Sequence, residues 1–352
     1  MSDVPGIHTE QVSRFLRQAL PGLPPSPITF ELISGGKSNL TYRVRAGNQT
    51  WALRRPPLGH VLATAHDMVR EHRVLAALAD TQVPCPRPVA LCEDTAVNDA
   101  PFYVMEFCEG VILHDHAPDG FLRGPEDGRR LSQALVDTLA TLHAVDPAAV
   151  GLGDFGRPEG YLERQVKRWS KQWEASQTGP LPEIDALLER LGAALPKESG
   201  HAIVHGDYRL GNMALADDDP GRIVALFDWE MATLGDPLAD LGYTLIYWVE
   251  AGEDTAALSM GVGRVSAEPG FFTRDEIVSA YAKASGRDVS AIAFYQVLAL
   301  TKLAVISEGI FKRFQMGKTV GEGFDRTVRA TALLAQRALA IAEQSDDPRL
   351  RG

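Results

Sequence analysis

Two short apolar runs in the second half of the chain each end at a carboxylate. Ala202-Ile203-Val204 leads into His205-Gly206-Asp207-Tyr208-Arg209-Leu210-Gly211-Asn212, and Ile223-Val224-Ala225-Leu226-Phe227 leads into Asp228-Trp229-Glu230. Runs of this length, rich in β-branched residues, read as buried strands. The first carboxylate is followed five residues later by the amide of Asn212. Phosphoryl transfer from a nucleotide needs such a set: one carboxylate to orient the attacking hydroxyl and take its proton, and an Asn and a second Asp to hold Mg²⁺ against the phosphates. A single Asp after a strand often does no more than cap a loop. The ordered set of three is what points to chemistry.

The spacing from Asp207 to Asn212 equals that in the protein-kinase catalytic loop H-R-D-x-x-x-x-N, and Asp228 falls where the metal-binding Asp of D-F-G would fall. His205-Gly206-Asp207 with Asn212, Phe227-Asp228-Trp229-Glu230 and Gly235-Asp236-Pro237-Leu238-Ala239-Asp240-Leu241 together resemble the aminoglycoside phosphotransferase family. That family is a kinase-like group that also includes choline and homoserine kinases. With Leu53-Arg54-Arg55-Pro56-Pro57 added, the pattern is similar to the branch containing the kinase-like domain fused to some acyl-CoA dehydrogenases.

The resemblance implies an α+β, protein-kinase-like fold of two lobes. Residues 1–107 would form a leading helix and a small antiparallel nucleotide-binding lobe, and residues 108–352 a larger, mainly helical catalytic and acceptor-binding lobe. It implies a phosphotransferase with an alcohol acceptor, ATP and Mg²⁺ as cofactors, Asp207 as the base, and Asn212 and Asp228 as metal ligands. Arg209 falls where many protein kinases carry a Lys near the transferring phosphate, and a cation there would offset charge on the equatorial oxygens. An ion pair within the loop is its other use. Glu230 would reach a second Mg²⁺ or cap the following loop. Asp236 and Asp240 read as anchors of the catalytic loop, and His205 as a residue that fixes it by hydrogen bonds.

In the first hundred residues, Ser34-Gly35-Gly36-Lys37-Ser38-Asn39 lies between two strand candidates. Paired glycines let successive N–H groups face an anion, so Gly35, Gly36, Ser38 and Asn39 are candidate nucleotide contacts. A Walker A loop is excluded, because its first Gly would fall at Glu31. Alternation over 50–54 turns Trp51 and Leu53 inward and sets Arg54 on the other face, where kinases carry the phosphate-binding Lys. Arg is a broader, bidentate group. Glu71 stands where the family's Glu would pair with that cation; a solvated helix-face Glu is the competing reading. Glu106 and Phe107, at the junction of the two composition regimes, fall where the family's main chain binds adenine.

The period of the apolar residues supplies the elements that must position these groups. A helix is expected over 8–20 with Thr9 as N-cap, and strands over 28–33, 39–46 and 50–54, the last two around the turn Gly47-Asn48-Gln49. A helix over 65–79 and strands over 89–93 and 102–107 follow. Helical spacing then marks 131–145, 160–175, 184–195, 238–249, 274–285, 289–314 and 324–344. The stretches 150–158 and 251–271 read as irregular loops, and 346–352 as a frayed tail. Trp169 and Trp173, and Tyr243, Tyr247 and Trp248, are aromatic stripes of the kind that usually pack in a core.

A chain of 352 residues favours two lobes over one core. Net charge of −11 argues against a nucleic-acid partner, whose phosphates call for cations. No apolar run is expected to reach membrane-spanning length, and the first residues lack a signal-peptide layout. Cys85, Cys92 and Cys108 form no C-x-x-C pair, which fits a reducing cytoplasm. The reading is an ATP-dependent kinase acting on a hydroxylated small molecule, an aminoglycoside-like compound or a hydroxylated acyl metabolite. Its rival is a catalytically impaired nucleotide-binding pseudokinase.

Overall fold

The computed structural model describes residues 4–20, 22–34, 39–58, 67–253, 263–317 and 327–352. The chain begins with α1 (Thr9–Ala19), whose N-cap is His8, so Thr9 sits inside the first turn and does not cap it. Next come β1 (Ile28–Ser34), β2 (Leu40–Ala46), β3 (Gln49–Arg55), α2 (Met68–Leu78), β4 (Pro88–Cys92), the short α3 (Thr95–Asn98) and β5 (Phe102–Glu106). The five strands make one antiparallel sheet in the order β1-β2-β3-β5-β4. Gln49 pairs with Ala46, which tightens the hairpin turn to Gly47-Asn48, and Gly47 adopts φ +58°, a region costly for other residues.

Strands β2 to β5 carry a buried cluster on each face of the sheet, and strand alternation divides their side chains between them. Phe102 and Val104 of β5, with Tyr42, Val44 and Leu53, pack against Val12 and Leu16 of α1. Tyr103 and Met105, with Ala52, pack against Val74, Leu75 and Leu78 of α2. Arg54 shares the α2 face with Ala52. Arg55 goes to the other face, where it is buried and donates to the carbonyls of Gly6 and Pro56.

The remainder is mainly helical: α4 (Pro125–Ala144), α5 (Tyr161–Ser176), α6 (Pro182–Ala193), α7 (Leu238–Tyr247), α8 (Arg274–Ser285), α9 (Ile292–Gln315), α10 (Thr327–Glu343) and α11 (Pro348–Arg351). Two small antiparallel pairs interrupt it. β6 (Ala202–Val204) pairs with β9 (Thr233–Gly235), and β7 (Met213–Ala216) pairs with β8 (Asp219–Leu226). The sequence pattern shows β6 and β8. β7 and β9 are three or four residues long, too short for a period to register.

Two further expectations are corrected. The 346–352 stretch is not a frayed tail: the Asp347 carboxylate caps α11 through the Arg349 N–H, and Leu350 buries in the main core. Helix α9 is apolar and long enough to span a membrane, with a mean hydropathy of 1.3, yet 67% of that window is buried inside the fold. It is apolar nearly all round because α5, α6, α7 and α10 surround it. Trp169, Trp173, Tyr243 and Trp248 are buried core residues, as expected of stripes at helical spacing.

Candidate active site

β6 delivers His205 and Asp207 at its C-terminal end, and β8 delivers Asp228. Gly206 adopts φ +86°, and a Cβ there would come within 2.8 Å of Met231. Asp228 also has positive φ, 65°, at the start of a 3-10 turn over Trp229–Met231. An Asp tolerates this left-handed conformation better than most residues, and such outliers gather at functional sites.

The first loop closes on itself. Asn212 Nδ2 donates to the Asp207 main-chain oxygen at 2.8 Å and to its carboxylate at 2.7 Å, and Arg209 Nε donates to the same carboxylate at 3.1 Å. The Phe227 N–H donates to the Asn212 carbonyl at 2.8 Å, so the residue before Asp228 is tied to the residue that ends the first loop. Burial alone would lower the Arg209 pKa, but Asp207, Tyr247 and Tyr243 outweigh it, and the guanidinium stays firmly charged.

Beneath the loop, the wholly buried Asp240 receives the main-chain N–H of His205 and of Gly206, each at 2.7 Å, and His143 Nε2 at 3.2 Å. His143 Nδ1 is 2.7 Å from the Tyr281 hydroxyl. His205 Nδ1 accepts from the Asp207 N–H, so its Nε2 carries the proton given to the Phe227 carbonyl at 2.9 Å. Asp236 accepts from Ser199, Leu238 and Tyr295 and holds the approach to β6. Neither Asp236 nor Asp240 reaches the open side of the loop.

Arg54 joins the sheet to this loop. Its Nε lies 3.0 Å from Glu71, and its Nη2 donates to Asp228. Glu71 is buried and does not lie on a solvated face, because positions 71, 74, 75 and 78 form one stripe of α2 against the sheet. Burial opposes charge on Arg54, but Glu71, Tyr103, Asp228 and Glu230 raise its pKa well above the ordinary arginine value. Burial pushes the Glu71 carboxyl up against the pull of Arg54. Asn39 is buried too: its Nδ2 donates to Glu230 at 3.1 Å and lies 3.5 Å from Glu71. Glu106 is exposed, and Phe107 is half-buried under the Arg43 guanidinium. Gly35, Gly36 and Ser38 lie outside the described residues.

The pairing predicts the outcome at Arg54. Arg54→Ala leaves the Glu71 carboxylate buried without its cation and should cost about 3 kcal/mol of stability, while Arg54→Lys should retain most of it. Urea unfolding of the three proteins measures both. An Arg54→Ala protein as stable as the parent would show that the pair carries no structural weight.

Next to Arg209 a cavity of about 40 Å³ is lined by Leu113, His114, Gly211, Tyr247 and Trp248. Among the described residues no three His, Cys, Asp or Glu side chains converge as a ready-made metal cage. An oxygen pair such as Asn212 and Asp228 fits Mg²⁺, which is typically held by one or two carboxylates together with substrate phosphates. Asn212 spends its nitrogen on Asp207, which leaves its Oδ1 to accept. Lys302 escaped sequence reasoning, although a lone Lys inside the apolar run 298–305 was a visible signal. So did His143, whose hydrogen bond to Asp240 has no local pattern.

A profile of the phosphotransferase enzyme family matches residues 29–271, a span that includes the Arg54–Glu71–Asp228 cluster and the whole Asp207 loop. The chain belongs to that family. It has the kinase-like α+β fold. Mouse acyl-CoA dehydrogenase family member 10 is 31% identical over 347 residues, covering 96% of this chain but 31% of that protein. The chain thus spans under half the length of the curated relatives it matches. A Ralstonia eutropha protein provisionally named an aminoglycoside phosphotransferase is 32% identical, with a TM-score of 0.82 over 96% of this chain and 99% of that one. Aminoglycoside phosphotransferase APH(4)-Ia, solved with AMP-PNP and hygromycin B, shares the fold at 14% identity, with a TM-score of 0.60 over 94% of this chain and 97% of that one.

Proposed function

We propose that this phosphotransferase moves the γ-phosphoryl group of ATP to a hydroxyl of a small molecule. The observation that carries the reading is the closed Asp207 loop. Its carboxylate is held by Asn212 and Arg209, and a main-chain bond ties that loop to the residue before Asp228. Held by both donors, Asp207 cannot swing, and the carboxylate orients the acceptor hydroxyl and accepts its proton. Arg209 neutralises Asp207 before the acceptor arrives and offers charge to the transferred group.

Asn212 and Asp228 would hold Mg²⁺, with Glu230 in reach of a second ion, and the metal would neutralise phosphate charge. Arg54 lies on the same Asp228 carboxylate, which supports a role in gripping nucleotide phosphates once Asp228 turns to the metal. Asn39 would face the phosphates, and the main chain at Glu106 and Phe107 the adenine. The AMP-PNP bound by APH(4)-Ia supports nucleotide use. The acceptor is an aminoglycoside-like compound or a hydroxylated acyl metabolite. The free thiols of Cys85, Cys92 and Cys108 support a reducing, cytoplasmic setting.

Purified protein incubated with ATP, Mg²⁺ and a panel of hydroxylated compounds tests the reading. Transfer to any of them excludes an impaired nucleotide binder, and nucleotide binding without transfer to any would favour it. Asp228→Ala should weaken Mg²⁺-dependent ATP binding by at least about tenfold, and Asn212→Ala by less, since an amide oxygen carries no full charge. Calorimetric titration with and without Mg²⁺ compares them. Equal affinity in wild type and Asp228→Ala at saturating Mg²⁺ would take the metal away from this residue.

A further inference from the structure

Helix α9 carries one charged residue within Leu298-Ala299-Leu300-Thr301-Lys302-Leu303-Ala304-Val305. An ammonium in such a run costs free energy unless it finds an acceptor or the face of a ring. Lys302 Nζ lies 4.7 Å from the Tyr243 ring centroid and 6.0 Å from that of Trp169. Its hydrogen bond among the described residues is long, 3.4 Å to the Gly206 carbonyl, one residue before Asp207. An ammonium has three donors, so most of this capacity is unspent among the described residues. With Tyr161, Gln165, Trp169 and Tyr243, Lys302 lines a cavity of about 40 Å³.

The surroundings have a consistent charge. Tyr243 lies tilted against Tyr247 with centroids 5.0 Å apart, and the Arg209 guanidinium lies 5.3 Å from the Tyr247 centroid. Arg209, Tyr247, Tyr243 and Lys302 therefore form a row of cation, ring, ring and cation beside Asp207. The two carboxylates that attract Lys302 are Asp207 and Asp240. Asp207 is engaged by Asn212 and Arg209, and Asp240 by His143 and two main-chain N–H groups. Lys302 makes no ion pair with a carboxylate among the described residues. The row is built by α7, α9 and the catalytic loop, whereas the Arg54–Glu71 pair comes from the sheet and α2.

The geometry points to Lys302 as a specificity-determining residue that receives an anionic group of the hydroxylated acceptor, a carboxylate or a phosphate, with the Tyr243 and Trp169 faces taking its apolar part. This rests on the reading of Asp207 as the residue that meets the acceptor hydroxyl. A polycationic amino sugar would meet two like charges there, and like-charge contact is an effective means of rejecting a wrong partner.

The test is saturation-transfer NMR on the full chain with AMP-PNP and Mg²⁺. The probes are 3-hydroxybutyrate against its amide, glycerol 3-phosphate against glycerol, and kanamycin. At least one anionic probe should bind, its neutral twin and kanamycin should bind more weakly, and the stronger anion identifies carboxylate or phosphate as the group received. Lys302→Met should weaken that anion about ten- to a hundred-fold, and Lys302→Arg should restore most of the loss. Lys302→Gln replaces the Met variant if melting curves show that it does not fold. Binding of neither anion, binding undiminished in the neutral variants, or preferential binding of kanamycin overturns the assignment. AMP-PNP binding, followed separately by calorimetry, and transfer lost in Asp207→Asn report on the broader reading, so the two can fail independently.

Discussion

Asp207→Asn is expected to lower kcat by roughly 10²–10⁴-fold, the range spanned by general-base contributions, and to leave nucleotide affinity unchanged. The substitution is isosteric, and the loop geometry shows why it should fold. Asp207 Oδ2 accepts from Asn212 Nδ2 at 2.7 Å and from Arg209 Nε at 3.3 Å, so an amide oxygen in that place satisfies both donors. What the amide cannot do is accept the proton of the acceptor hydroxyl. Steady-state kinetics on an acceptor found in the screen, with calorimetric titration of ATP, separates chemistry from binding. A variant that keeps most of its kcat would remove Asp207 from the role. One that loses nucleotide affinity instead would move it to the metal.

A second large effect is expected in stability. Asp240→Ala strands the N–H groups of His205 and Gly206 and the Nε2 of His143 in a wholly buried site. Removing one partner of such a network costs about 5 kcal/mol, the upper end of the usual range, because no solvent reaches the orphaned donors. Activity should fall with it, since the same bonds aim Asp207. The pH dependence has a definite sign. Burial works to raise the Asp240 pKa, but the hydrogen bonds from His143 and the Gly206 N–H and the pull of His143 outweigh it, and the folded-state value is depressed. A depressed carboxylate stabilises the fold above its unfolded pKa of about 3.9, and that contribution is lost as pH falls through the folded value. The wild type should therefore exceed Asp240→Asn in stability by a constant margin near neutrality, and the margin should shrink only below pH ~4. Urea unfolding at neutral and acid pH checks this, and a margin that shrinks between pH 8 and 6 would assign the coupling to another group.

The sequence by itself determined what is periodic or adjacent along the chain. Alternation in β3 shows that Arg54 and Arg55 take opposite faces, and the five-residue spacing of Asp207 and Asn212 brings them within one loop. Helical stripes located the main helices to within a few residues in most cases. These features are legible because backbone geometry repeats every two residues in a strand and every 3.6 in a helix. Burial and pairing do not repeat. Glu71 reads equally well as a solvated Glu until α2 packs on the sheet, 17 residues beyond Arg54 in the chain. The link from Asn39 to Glu230 spans 191 residues and that from His143 to Asp240 spans 97, so no local pattern announces either. Leu350 is a lone apolar residue in a polar tail until the main core receives it. Only the tertiary structure decided which charges lose their water, and with it which carboxylates anchor the loop and which remain for chemistry.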